Sequence, residues 1–217
     1  MAWHALRLSL GVALVATLVV AVLGTAFGWL LARGRFRGRE LLDSVLMLPL
    51  VLPPTVTGYY LIVVLGRRGL LGGPLHDMTG WSIPFSRTAC VIAAAVVALP
   101  LMVRAARSAF ESIDVRHLLV AASLGHRRWS VFARIAVPLA RRGLAAGIVL
   151  SFARAIGEFG ATLLLAGNIA GRTQTLPLAI YEALQLGDDR AALTLSILLT
   201  GVSLVAMGLI ARLGSKR

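Results

Sequence analysis

One cysteine, one lysine, four histidines and nine acidic residues leave this 217-residue sequence sparse in the side chains that most often carry chemistry. The lone Cys90 excludes an intramolecular disulfide, and its place in an apolar run argues against a metal cluster. A buried small apolar cysteine needs no function of its own. The lone lysine, Lys216, stands in GSKR at the C-terminus, so a Gly-Lys-Ser/Thr phosphate loop is absent and the chain cannot hydrolyse ATP. Every aspartate falls outside the apolar runs, and no His-Glu-x-x-His occurs. An intramembrane hydrolase would need such a set, or a paired nucleophile and base. His4, His76, His117 and His126 show no metal-ligand spacing. Charge itself is scarce at 14% of residues, against about 25% in soluble domains.

What is abundant is apolar surface, 58% of residues, arranged in long uncharged runs. This is the pattern of an all-α polytopic membrane protein with a single domain over 1–217. The first run, 8–32, is long enough to cross a bilayer and too long for the core of a signal peptide. Further spans are expected at about 44–65, 88–106, 143–165 and 191–211, giving five. The net charge of +13 raises nucleic-acid binding. The basic residues, however, sit at the ends of apolar runs instead of forming a continuous face, so no nucleic-acid partner is expected.

Five spans put the termini on opposite sides. The loop 33–43, the loop 104–142 and the tail after the fifth span carry fifteen arginines and lysines, and the opposite side carries six. Cytoplasmic loops hold the excess. The N-terminus is therefore expected outside and the C-terminus, with the 107–142 loop, inside.

That inner loop is unusually apolar. Asp114 can cap a helix over about 115–124, and Gly125 can supply its left-handed stop. A second helical piece follows, with Phe132, Ile135, Ala136 and Leu139 on one face. Pro138 is expected to break it near the membrane, and Gly143 to open the fourth span. Two readings stand side by side. The hairpin is either an amphipathic loop on the bilayer anchored by Arg127, Arg128 and Trp129, or a knob for a groove on a cytoplasmic partner.

Three features lie deeper. Pro53 and Pro54 interrupt the second span, freeing the carbonyls of Pro49 and Leu50 beside the hydroxyls of Thr55 and Thr57. Such a break either lines a path or shapes packing. Arg154 and Glu158, one helical turn apart, are expected to neutralise each other as a structural intramembrane pair. Gly157 and Gly160 fit a close helix approach beside them. Outside, Pro177 can start a short helix to about Leu186, with Tyr181 at the interface; it either closes the path or touches an external partner, or simply connects spans.

The stretch VAASLGHRRWSVFARIAVPLA resembles the cytoplasmic signature of ATP-binding-cassette importer permeases. Ala121, Gly125, Ile135 and Pro138 hold its spacing, while Leu119, Val120 and Val137 replace its usual Glu, Ala and Leu. LLDSVLMLPLVLPPTVTGYYLIVVLGRRGLLG, LPLMVRAARSAFESID, GEFGAT, AGN and TQTLPLAIY are similar to the molybdate-type permease family, over about residues 10–211. The resemblance implies the type I importer permease fold, with five spans per chain and a cytoplasmic coupling helix. It makes Leu119, Ala121, Ala122, Leu124 and Gly125 the residues that couple to an ATPase. Thr55, Thr57, Thr162 and Asn168 are the candidate path donors for an oxyanion. It also implies a cytoplasmic ATPase dimer that supplies ATP and magnesium, an external molybdate-binding protein, a second copy of the chain by symmetry, and a lipid setting in the cytoplasmic membrane. No cofactor is expected in this chain. Tungstate and sulfate are alternative cargoes, and a self-contained channel is the alternative of another class.

Overall fold

The computed structural model describes residues 2–215. Lys216 and Arg217, counted above in the charge balance, lie outside the described residues, as does the side chain of Ala122. The regular structure of the described residues is all helical, without strands: α1 Ala2–Arg33, α2 Arg39–Val51, α3 Pro54–Leu65, α4 Gly72–Thr79, α5 Arg87–Glu111, α6 Val115–Ser123, α7 Arg128–Val131, α8 Val137–Ile156, α9 Gly160–Ala166, α10 Leu176–Gln185 and α11 Asp189–Ser215. Helices α1 and α5, the continuous piece from Arg128 to Ile156 and the Asp189–Leu209 part of α11 are each long and apolar enough to cross a membrane.

Helix α5 is the axis of the bundle. Its alanines at 89, 93, 94, 98 and 106 are buried with Val97 and Met102, and small residues at a helix seam let backbones approach closely. The facing residues are small too. Gly24 and Gly28 of α1 lie against Met102 and Ala106, and Gly143 and Gly147 of α8 lie against Ala109, Ala105 and Met102. A β-carbon on any of the four would overlap its neighbour. Lipid supplies no hydrophobic drive for helix association, so dispersion across these seams holds the bundle.

The second span is not one helix. α2 and α3 meet at Leu52–Pro53 with a bend of 117°. Proline at 53 and 54 removes two amide donors in succession, so the α2 pattern ends with Leu52 N–H on the Leu48 carbonyl. The expected run 44–65 is thus a broken span.

The fourth span also departs from expectation. Gly143 does not open it, and Pro138 does not break it. A π-turn over Phe132–Ala136 joins α7 to α8, with Val137 N–H on the carbonyl of Phe132 five residues back. Pro138 follows directly on that π-turn, whose shifted hydrogen-bond register lets the helix run on through the residue that has no amide donor. At its far end α8 stops at Ile156, and α9 restarts at Gly160, so the expected 143–165 span is interrupted near Glu158.

The loop 167–175 and α10 cap the bundle at the end where α1 begins. Ser9 Oγ accepts the Leu176 amide at 2.7 Å. Thr173 is buried, donating to the Gly167 carbonyl and accepting from Ile169 N–H. Asp188 caps α11 through Ala191 N–H.

Candidate functional site

The hairpin between α5 and α8 is built as its sequence requires. Asp114 Oδ1 accepts Arg116 N–H at 2.9 Å, and the Asp114 carbonyl accepts His117 N–H. Those bonds start α6. At the other end Gly125 stands at φ +82°, and His126 N–H returns to the Ala121 carbonyl at 3.2 Å. This is a left-handed stop of the kind glycine allows.

Its outer surface is apolar. Leu119, Val120, Leu124 and Trp129 are 62, 59, 73 and 73% exposed. Ala121 is only 4% exposed and faces inward, so it holds the hairpin together and presents no surface. Of the residues expected to couple, Leu119, Leu124 and Gly125 stand outward. Val120 joins them, although the sequence marked it only as a departure from the signature.

The base of the hairpin is fixed by residues that local sequence reasoning did not reach. Arg33, at the end of α1, donates through Nη2 to the carbonyls of Phe110 and Ile113 at 2.7 and 2.6 Å. It thereby bridges the last turn of α5 to the residue two positions beyond it, just before the hairpin begins. Trp29 lies edge-on to Phe110 at 5.1 Å and 5.3 Å from Phe132, which in turn lies 5.2 Å from Trp129. One aromatic chain thus runs from α1 through the π-turn to the exposed hairpin surface. Beside it Arg107 bridges Asp43 of α2 at 2.7 Å and Glu111 at 2.9 Å. These pairs are partly solvent-exposed and contribute little energy singly.

Within the membrane-spanning part, Arg154 Nη1 lies 2.7 Å from Glu158 Oε2, and Glu158 is buried. Oε2 has the distance of an ion pair without an aligned hydrogen bond. Oε1 accepts the Ala161 amide at 2.8 Å. A buried carboxylate needs both charge and hydrogen-bond compensation, and here the two ends of the break supply them. Glu158 therefore ties the end of α8 to the start of α9. Gly160 lies against Pro54 and Thr55 of α3. Gly157 is an exposed cap residue that makes no such approach within the chain.

The four candidate path residues are not brought together. Thr57 and Thr162 are buried beside the close contact of Gly58 with Ala161, where α3 meets α9, and Thr57 Oγ1 has no partner among the described residues. Thr55 is exposed at the start of α3. Asn168 lies outside that seam and donates to Glu182 of α10, which also accepts from Gln174. Tyr181, expected at the interface, is exposed and rests its ring 5.1 Å from Phe159.

Known proteins share both the sequence and the fold. The chain is 47% identical over 99% of its length to an Escherichia coli K12 protein, of which 96% is covered, named molybdenum transport system permease protein ModB. It is 49% identical over 85% of its length to a Bacillus subtilis protein, 82% covered, named putative molybdenum transport system permease protein YvgM. A Mycobacterium tuberculosis ModB is 43% identical over 96% of this chain and 78% of its own. Among solved structures, a bacterial ABC transporter involved in alginate import superposes with a TM-score of 0.77 at 15% identity, over 97% of this chain and 78% of that one. The MetNI methionine transporter in an inward-facing conformation gives 0.70 at 14%, over 99% and 94%. The fold is therefore that of ABC transporter permeases. The family model for binding-protein-dependent transport system inner membrane components matches residues 24–217, and the chain belongs to that family.

Proposed function

We propose that this chain is the membrane-spanning permease subunit of an ATP-driven importer that carries molybdate across the cytoplasmic membrane. The observation that supports this reading most is the identity of 47% over 99% of the chain to a molybdenum permease. It works as a two-fold dimer of identical chains, because an ATPase dimer offers two clefts and each chain one hairpin. The exposed apolar face of α6 docks in the ATPase cleft. ATP and magnesium belong to that partner, and an external binding protein delivers the anion. The N-terminus lies outside and the hairpin inside, in keeping with the arginine excess of the 33–43 and 104–142 loops.

Arg154 and Glu158 hold the break between α8 and α9 in a neutral state, so the buried carboxylate presents no repulsion to a passing dianion. The hydroxyls of Thr57 and Thr162 lie buried at the α3–α9 seam. They serve the anion when that seam opens.

The test is reconstitution of the chain with its ATPase in vesicles, with binding protein and labelled molybdate outside and ATP at the ATPase. Uptake should require all components and be competed by molybdate at lower concentration than sulfate. Uptake without the ATPase would mean a channel, and sulfate competing equally well would reassign the cargo.

A further inference from the structure

At the N-terminal ends of α1 and α5 a groove of ≈ 570 Å³ lies between the two helices. Its lining is sharply divided. His4, Arg7 and Arg87 stand at one end, while Leu8, Gly11 and Val15 continue along α1 beneath them, with Val91 opposite. No acidic residue lines it. Among the described residues neither arginine has an ion-pair or hydrogen-bond partner. Both arginines immediately precede uncharged runs, which begin at Leu8 and Thr88, so the cationic end sits where headgroups begin and the apolar floor where acyl chains lie. At Gly11 a β-carbon would meet nothing within 4 Å, so the floor is open.

From this division we infer that the groove holds one anionic phospholipid, its phosphate between Arg7 and Arg87 and an acyl chain along Leu8, Gly11 and Val15. Guanidinium groups bind phosphate oxygens through paired N–H donors. A dissolved anion would use only the cationic end and leave the apolar wall uncovered, whereas an amphiphile matches both. The assignment is independent of the cargo and of coupling to ATP, and it goes beyond the transport reading.

The test uses the full-length chain with its ATPase, in vesicles of phosphatidylcholine containing a minor fraction of phosphatidylglycerol. After mild detergent extraction, mass spectrometry counts the phosphatidylglycerol retained per chain. Each arginine at an anionic membrane surface is worth roughly fivefold in binding, so Arg7→Gln with Arg87→Gln should lower retention about 25-fold. Gly11→Leu keeps both charges but fills the floor, and it should also release the lipid while the complex stays assembled. Unchanged retention in either variant overturns the proposal. So does displacement of the lipid by dissolved phosphate or molybdate, which would make the groove a free-anion site. A changed oligomeric mass in Gly11→Leu would make it a contact between copies and likewise overturn the lipid assignment.

Discussion

Arg33 donates to the carbonyl of Ile113, 80 positions away in the sequence, at 2.6 Å, and the same nitrogen donates to Phe110. Two structural levels meet in that contact. It adds a charged donor to the turn that ends α5, where Ile113 N–H also returns to the Phe110 carbonyl, and it ties the end of α1 to the root of the exposed hairpin. A push on the hairpin must therefore be felt by α1.

The first prediction follows from that bond. Arg33→Gln should lose charge-assisted hydrogen bonds worth roughly 1.5–3 kcal/mol. The complex should still insert and assemble, because the spans are untouched. Stimulation of ATP hydrolysis by loaded binding protein should fall, measured as the ratio of the hydrolysis rate with loaded binding protein to the rate without it. An unchanged ratio would confine Arg33 to a local cap.

The second concerns Arg154 and Glu158. Glu158→Gln keeps an oxygen for the Ala161 amide but removes the charge facing Arg154. Breaking a fully buried pair costs about 3–5 kcal/mol. Arg154 is partly exposed, so the loss here should lie below that range and show as reduced folded yield in detergent. Adding Arg154→Gln should restore part of it. A double variant no better than the worse single one would argue against mutual compensation.

Helix packing gives the third. Gly28 of α1 lies against Ala106 and the backbone of Arg107, with no room for a β-carbon. Gly28→Val should force the helices apart, at about 1–3 kcal/mol, and lower the melting temperature of the purified complex. Gly201→Val on α11 meets nothing within 4 Å and should leave the temperature unchanged.

Why some of this was legible and some was not comes down to range. Uncharged runs bounded by arginine report a span directly, because the bilayer imposes one length on all of them. Asp114 and Gly125 report the ends of α6 because capping is local. The pair Arg154–Glu158 was legible because i,i+4 residues share a helical face. Pro138 misled, since a π-turn before it moved the register by one residue and let the helix continue through the proline. Arg33 and the chain Trp29–Phe110–Phe132 had no local signal. Their partners are far apart in sequence, and only the crossing of α1 with α5 brings them together.

Orientation is the fourth prediction. With fifteen basic residues on one side and six on the other, a reporter fused after Arg217 should behave as cytoplasmic. One inserted near Gly73, at the start of α4, should behave as external. The reverse pattern would overturn the five-span arrangement.

The fifth prediction separates docking from turn strain at Gly125. Within the chain, a β-carbon there meets nothing within 4 Å, yet φ is +82°. A β-branched residue in that left-handed conformation is strained by roughly 1–2 kcal/mol, while asparagine tolerates it with less cost. Gly125→Val should thus disturb both the turn and the surface that α6 presents, whereas Gly125→Asn should disturb mainly the surface. Membrane insertion should survive in both, since no apolar span changes. If the hairpin docks on the ATPase, valine should lower the amount of ATPase that co-purifies, and asparagine should lower it less. The measurement is the ATPase-to-permease ratio in the purified complex, read beside ATP-driven molybdate uptake. Normal assembly with normal uptake in Gly125→Val would mean that the apolar face of Leu119, Val120 and Leu124 rests on the bilayer and not on a partner.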